Sequence, residues 1–138
     1  MISTIVLGVI LFIFGIIDIR HKEIPNLYFV VSAILTIGLS LFQRNTSIFN
    51  GLLGITVGIV LIIISKVTRG KIGIGDGITF CITGLILGVN VNLQMLMFAL
   101  FLSAIYAIFL LIFKKVNRQH TIPFLPFVFV GYLGVLII

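Results

Sequence analysis

Only three side chains in this sequence carry a carboxylate: Asp18, Glu23 and Asp76. The chain has 138 residues, of which 61% are hydrophobic and 9% charged. A carboxylate near hydrocarbon is costly, so an acid in such a chain is a functional candidate by default. Two acids together can activate water, because one accepts a proton as general base while the other donates its proton to the reacting group.

Asp18 follows the first apolar stretch and is itself followed by Arg20 and Ile24-Pro25-Asn26. An acid at the carboxyl end of a helix opposes the helix dipole, which favours a cation there. Such conflicts with a local rule are typical of functional positions. The structural alternative is an interfacial acid that pairs with a neighbouring basic side chain.

Asp76 lies in the segment Gly73-Ile74-Gly75-Asp76-Gly77, for which we predict a glycine-rich loop. Glycine permits close backbone contacts and positive φ angles. The segment lacks the Gly-Lys-Ser/Thr ending and the preceding strand of a phosphate-binding loop. An ordinary Gly-Asp-Gly turn is the structural alternative.

The composition indicates an integral membrane protein. A soluble domain carries about 25% charged residues, whereas this chain has a mean hydropathy of +1.40. So few polar groups cannot form a water-facing shell, which excludes soluble enzymes, nucleic-acid-binding modules and disordered tails. The single cysteine excludes a disulfide framework and a thiolate zinc cluster.

A membrane-spanning helix needs about 20 mostly apolar residues. The sequence therefore predicts one all-α domain over residues 1–138, a polytopic bundle of six transmembrane helices. The expected helices are Ile2–Ile17, Asn26–Phe42, Ile48–Ser65, Ile78–Val89, Leu93–Phe113 and Ile122–Ile138. Glycines in the third helix (51, 54 and 58) and the fourth (84 and 88) predict close helix packing.

The distribution of basic residues predicts the orientation. Eight of the nine Lys and Arg residues follow the first, third and fifth helices, and only Arg44 lies in the other connections. The positive-inside rule places the first group of connections in the cytoplasm and both termini outside the cell membrane. The fourth helix would be only about 18 Å long, against about 30 Å of hydrocarbon. Either its outer end stops early or its Asp76 end begins below the cytoplasmic surface, and we favour a recessed Asp76.

Asp18 and Asp76 both fall at cytoplasmic helix ends, so the bundle can bring them together. Two carboxyl groups a few ångströms apart do not both ionise readily, and they can share one proton. Such a pair cleaves a peptide bond without a cofactor or a metal, and we predict neither. The alternative is a non-enzymatic transporter or assembly subunit that uses the same acids for ions or protons.

Three segments together resemble the prepilin peptidases (type IV leader peptidases), which are membrane aspartic proteases with a Gly-x-Gly-Asp motif. They are Asp18 with Arg20 and Ile24-Pro25-Asn26, then Gly73-Ile74-Gly75-Asp76, and finally Ile122-Pro123-Phe124-Leu125-Pro126-Phe127. Presenilin-like proteases share the second motif, but they carry the first aspartate in a Tyr-Asp pair, which Ile17-Asp18 is not.

The resemblance implies catalysis by Asp18 and Asp76 at the cytoplasmic face. The implied partners are the lipid bilayer and type IV prepilin-like precursors, whose basic leader is cleaved, and not nucleic acid. Gly73, Gly75 and Gly77 are expected to shape the loop around the second acid. Residues expected to contact substrate or border the site are Glu23, Pro25, Asn26, Lys71, Pro123, Phe124 and Pro126.

The chain also departs from the family pattern. Ile78 stands where the family commonly has lysine, and Leu125 where it often has glycine. Larger bacterial members contain a cytoplasmic insert with paired Cys-x-x-Cys motifs and also methylate the new N-terminus. This chain lacks that insert and has only Cys81, so we expect peptidase activity alone.

Overall fold

The computed structural model describes residues 2–21, 25–43, 47–69, 73–113 and 123–137. Within these ranges the regular structure is helical throughout: α1 (Ile2–His21), α2 (Asn26–Gln43), α3 (Ile48–Val67), α4 (Ile74–Phe113) and α5 (Leu125–Ile137). α1, α3 and α4 are long and apolar enough to cross a membrane, and α2 and α5 are shorter apolar helices. The prediction of an all-α, multi-pass membrane protein is confirmed at this level.

α4 consists of two helical arms that meet at Gly88. This residue has φ 81° and ψ 172°, outside the helical region. The Asn92 side-chain amide donates a hydrogen bond to the carbonyl oxygen of Phe80 at 3.0 Å. These residues would be about 18 Å apart along one straight helix, so the chain folds back at Gly88. We call residues 74–87 the first arm and residues 89–113 the second arm.

The structure corrects the predicted boundaries around Asp76. The first arm begins at Ile74, so Gly75, Asp76 and Gly77 form its first helical turn. Both the predicted glycine-rich loop and the alternative of a simple turn are therefore wrong. The absence of a side chain on Gly77 lets this turn pack closely against α3, because a Cβ there would lie only 2.6 Å from Ile62 Cγ1.

Three other predicted boundaries are also wrong. The fifth predicted helix was expected to begin at Leu93, but the second arm begins directly after Gly88. α1 continues past Ile17 to His21, so Asp18 lies inside its last turn rather than at its end. Arg20 and His21 supply the cations that a helix carboxyl end favours, which helps the extra turn to form. The last helix begins at Leu125 rather than Ile122.

α3 and the first arm pack with their backbones in contact. A Cβ on Gly54 or Gly84 would collide with the carbonyl group of the other glycine, and a Cβ on Gly51 would lie 2.8 Å from the carbonyl oxygen of Leu85. In lipid, helices associate mainly through such close packing and through hydrogen bonds between helices. The predicted packing role of these glycines is confirmed, whereas Gly88 forms the reversal.

A buried polar network holds the two arms and α3 together. Asn92 is fully buried, and its amide also donates to the carbonyl oxygen of Gly54 at 3.2 Å. The Thr83 hydroxyl donates to Asn92 Oδ1 at 2.7 Å. Unpaired polar groups are expensive in hydrocarbon, so this network fixes the arms against each other and thereby positions the first arm, which carries Asp76.

α5 packs antiparallel to α1 and also contacts the second arm. Near one end of α1, the Tyr132 hydroxyl donates to the carbonyl oxygen of Thr4 at 2.7 Å. Near the other end, Gly15 lies against Pro126, whose Cα would be 3.4 Å from a Cβ at position 15. The first turn of α5 is thereby placed beside the last turn of α1.

Replacing Gly88 by alanine is expected to destabilise the protein by about 1–3 kcal/mol. A Cβ there would lie 2.5 Å from Asn50 Nδ2, on a backbone with φ of 81°. Asn50 Oδ1 also accepts a hydrogen bond from the Val89 N–H at 3.3 Å, so the clash would disturb the start of the second arm. The loss is measured as a lower midpoint of thermal unfolding in detergent.

Gly38→Ala on α2 is the matched control for this prediction. No atom lies within 4 Å of a Cβ at position 38, and alanine is favoured over glycine inside a helix. Its unfolding midpoint should be unchanged or higher than that of the wild type. Equal losses in the two variants would contradict a strained reversal at Gly88.

Candidate active site

The Asp18 carboxylate extends from the last turn of α1 to the first turn of α5. Its Oδ2 atom accepts a hydrogen bond from the Leu125 N–H at 3.2 Å, and the Phe124 backbone N–H also donates to the carboxylate. The first N–H groups of a helix have no partner within it. Asp18 supplies that partner, and its charge lies at the positive end of the α5 dipole.

This cap accounts for an acid at an unfavourable end of α1. The dipole of α1 opposes the charge of Asp18, but the start of α5 favours it. Pro126 suits this turn because a proline there removes one of the N–H groups that would lack a helical partner. The Asp18 side chain therefore connects the last turn of α1 to the first turn of α5.

Asp76 is half-buried in the first turn of the first arm. The Gly73 backbone N–H donates to its carboxylate, while the Asp76 N–H donates to the Gly73 carbonyl oxygen at 3.2 Å. A side chain that reaches back to the residue before its helix is the pattern of a capping box. The Asp76 carboxylate, like that of Asp18, therefore accepts a hydrogen bond from a backbone N–H at the amino-terminal end of a helix.

The two acids are close enough to interact electrostatically: the charge of Asp18 acts directly on the Asp76 carboxyl group. On one side of the pair, the ring of Phe124 lies 6.4 Å from the ring of Phe80, centroid to centroid. Phe80 is one helical turn beyond Asp76, and Phe124 donates to Asp18. The start of α5 thus connects both acid-bearing helices.

A second aromatic contact lies near the same pair. Phe14, one turn before Asp18, packs edge to face with Phe29 of α2, with ring centroids 5.2 Å apart. The Phe29 ring also lies against Gly75, where a Cβ would be 3.1 Å from Phe29 Cζ. Gly75 directly precedes Asp76, so Phe29 also bridges the two acid-bearing helices.

The predicted glycines surround Asp76, although they do not form the expected loop. Gly73 precedes the helix, and a Cβ there would lie 3.3 Å from Asp76 Oδ2. Gly75 and Gly77 lie within the first turn, where they allow Phe29 and α3 to approach. They therefore control how closely other elements pack around the acid.

The remaining predicted residues lie around this pair or outside the described part of the chain. Pro25 and Asn26 are exposed at the start of α2, while Pro123, Phe124 and Pro126 are half-buried at the start of α5. Ile78 packs against the hydrophobic core. Glu23, Lys71 and Ile122 fall outside the described residues.

Sequence reasoning missed the contribution of Phe29 and Phe80. The chain has 13 phenylalanines, and nothing in their spacing separates these two from those that face lipid. Their burial shows the difference: Phe80 is fully buried and Phe29 is 7% exposed. The hydrogen bond from the Leu125 N–H to Asp18 could not be predicted either, because every residue type except proline has a backbone N–H group.

Comparison with known proteins places the two acids within a matched region. Residues 5–112 match the type IV leader peptidase family. The chain is 27% identical over 123 residues to the prepilin leader peptidase/N-methyltransferase of Bacillus subtilis (strain 168), in an alignment covering 88% of this chain and 50% of that protein. The chain thus spans about half the length of this curated relative. No solved structure matches it significantly.

The contact between Asp18 and α5 predicts different effects for two substitutions. Asp18→Ala removes the cap and should cost about 0.5–2 kcal/mol of stability. Asp18→Asn keeps an oxygen that can accept from the Leu125 N–H, so it should retain most of the stability. Hydrogen exchange at the Leu125 amide should be fast in the alanine variant and slow in the other two proteins. Equally slow exchange of the Leu125 amide in the wild type and both variants would contradict the hydrogen bond from Leu125 to Asp18.

Proposed function

This chain belongs to the type IV leader peptidase family, and we propose that it is an aspartic endopeptidase that removes the leader peptide from type IV prepilin-like precursors. The family identifies a protease and implies prepilin substrates. The observation that supports the aspartic mechanism is the electrostatic interaction between Asp18, which caps the start of α5, and Asp76, in the first turn of α4. The family match disfavours a transporter or an assembly subunit.

In the proposed mechanism, the two carboxyl groups share one proton and hold a water molecule between them. The ionised carboxylate takes a proton from the water, whose oxygen attacks the scissile carbonyl carbon. The protonated partner donates its proton to the carbonyl oxygen. When the tetrahedral intermediate collapses, the C–N bond breaks, the leaving amine takes a proton, and the pair again holds one proton.

Backbone donors support both acids in this cycle. The Leu125 and Phe124 N–H groups hold Asp18, and the Gly73 N–H holds Asp76. Hydrogen bonds to an ionised group are stronger than neutral ones. They replace water that burial removes from the carboxylates, so they favour a fixed orientation of both oxygens toward the reacting water.

We further propose that α1, α2, α3, the two arms of α4 and α5 make six membrane crossings, with both termini outside. Eight of the nine basic residues lie in the last turns of α1 and α3 or in the connections after α1, α3 and the second arm, which favours placement of these connections in the cytoplasm. Asp18 and Asp76 lie at that end of their helices. The scissile bond would then be cleaved at the cytoplasmic border of the cell membrane.

The first arm also supports a recessed Asp76. Residues 74–87 extend for about 21 Å, which is shorter than the hydrocarbon layer of about 30 Å. An irregular or polar segment at such depth is tolerated where it lines a watery cavity. The proposed site therefore lies slightly below the surface, close to where a substrate helix would emerge.

Cleavage of a purified prepilin-like precursor in detergent tests the mechanism. Asp18→Asn and Asp76→Asn should each reduce cleavage by at least about 1,000-fold, because either change removes the ionisable group needed to share a proton. Ser103→Ala is a matched control, since its hydroxyl bonds only the Leu100 carbonyl oxygen on the same arm. Normal cleavage by either asparagine variant would overturn the two-acid mechanism.

The processed product tests whether peptidase activity occurs alone. The Bacillus subtilis relative is named for two activities, and this chain spans about half its length. With S-adenosylmethionine present, we expect mass spectrometry to find an unmethylated mature N-terminus. The relative, assayed in parallel on its own substrate, is the control. A methylated product from this chain would contradict the proposal.

A further inference from the structure

Phe29 is the main apolar contact between α2 and the rest of the protein. Among the described residues, α2 packs against α1 and α4 but not against α3 or α5. Its buried side chains are Phe29, Ser32 and Thr36. The hydroxyls of Ser32 and Thr36 each bond a carbonyl oxygen of α2 itself, at 3.0 Å. They therefore provide no hydrogen bond to another helix, and Phe29 contributes the largest buried surface.

The contacts of Phe29 lie within one helical turn of each acid. On α1 its ring meets Phe14, which is 2% exposed and one turn from Asp18. On α4 it meets Gly75, whose missing side chain leaves the space that the ring occupies. The Phe29 ring therefore packs between the helix ends that carry the carboxyl groups and contacts both helices.

The separation of the acids matters because proton sharing depends on it. The interaction between two charges weakens with distance and with the local dielectric constant. The Phe29 ring is 7% exposed, and truncating it would leave a gap between the helix ends that carry the two acids. The spacing of the acids and their electrostatic coupling would then change together.

Among the residues that the structure describes, the other ionisable groups at this end of the helices are poorly placed to control this pair. The charged and titratable side chains on the described helices at this end are Asp18, Arg20 and His21 on α1, Tyr28 on α2, Lys66 on α3 with Arg69 after it, and Asp76 and Tyr106 on α4. All except the two aspartates are exposed. Water screens exposed charges, so the packing beside the acids is the stronger influence on their coupling.

We propose that Phe29 is a positioning residue, which sets the separation of Asp18 and Asp76 and keeps water from one side of the pair. This inference rests on the proposed peptidase function. Phe29 does not contact the reacting atoms in this scheme. It acts through Phe14 and Gly75, and its role depends on the size and shape of its side chain rather than on any chemical group.

The first test is steady-state cleavage of a prepilin-like precursor across a range of pH, normalised to folded enzyme. Phe29→Ala should lower kcat by about 10–100-fold with a smaller change in KM. Its bell-shaped pH profile should narrow, because the pair's two apparent pKa values move together when the acids are less strongly coupled. Phe29→Leu should recover most of the lost kcat and the width of the profile.

A size-compensation test examines the contact with Gly75. Gly75→Ala adds a Cβ 3.1 Å from Phe29 Cζ, so it should push the ring away and lower kcat. In that background, Phe29→Leu removes Cζ and should restore kcat toward the wild-type value. If the fold-loss of kcat in the double variant equals the product of the fold-losses in the two single variants, the proposed contact is overturned.

Phe12→Ala is the matched aromatic control. Phe12 pairs with Phe129 at a centroid distance of 5.4 Å and is 51% exposed, so its loss should leave kcat and the pH profile unchanged. A Phe29→Ala variant with wild-type kcat and pH width would overturn the inference while the peptidase function stands. Cleavage that survives Asp18→Asn or Asp76→Asn would instead overturn the proposed two-acid function.

Discussion

The structure depends on one constraint: two carboxyl groups must be kept close together in a strongly hydrophobic protein. Each loses water on burial, and the charge of Asp18 further disfavours ionisation of Asp76. Backbone N–H groups at helix starts donate hydrogen bonds to both carboxylates and offset these costs. The donor to Asp18 belongs to α5, and the donor to Asp76 directly precedes α4. Without those donors, the acids would favour separation or exposure to water.

The rest of the fold can be understood as support for that meeting. The Gly54–Gly84 contact brings α3 and the first arm into backbone contact. The Asn92 side chain then joins the second arm to both elements by hydrogen bonds. α5 packs on the second arm and on α1. Asp18 is thus held near Asp76 by successive helix contacts, although few contacts join α1 and α4 directly.

Much of this arrangement could be predicted from residue types. The apolar stretches located the helices, and the scarcity of acids identified Asp18 and Asp76. The starts of α2 and α3 agree with the predicted boundaries. These predictions succeed because apolar runs, prolines and isolated charges determine the structure of the segment that contains them.

The missing parts depend on contacts between distant segments. The Asp18–Leu125 hydrogen bond joins residues 107 positions apart, and its donor is a backbone group that every residue except proline has. The glycines around Asp76 favoured a loop by propensity, but packing against Phe29 and Ile62 allows a helix there. Gly88 was expected to pack like Gly84, and only its φ of 81° distinguishes it as the reversal.

The bond between Asp18 and the start of α5 also has a consequence for biosynthesis. A growing polypeptide leaves the ribosome from its amino end, so α1 enters the bilayer well before α5 exists. Until α5 has been translated and inserted, the Asp18 side chain lacks the amides that hold it. The contact that holds Asp18 against α5 therefore forms only after α1 to α4 have been made.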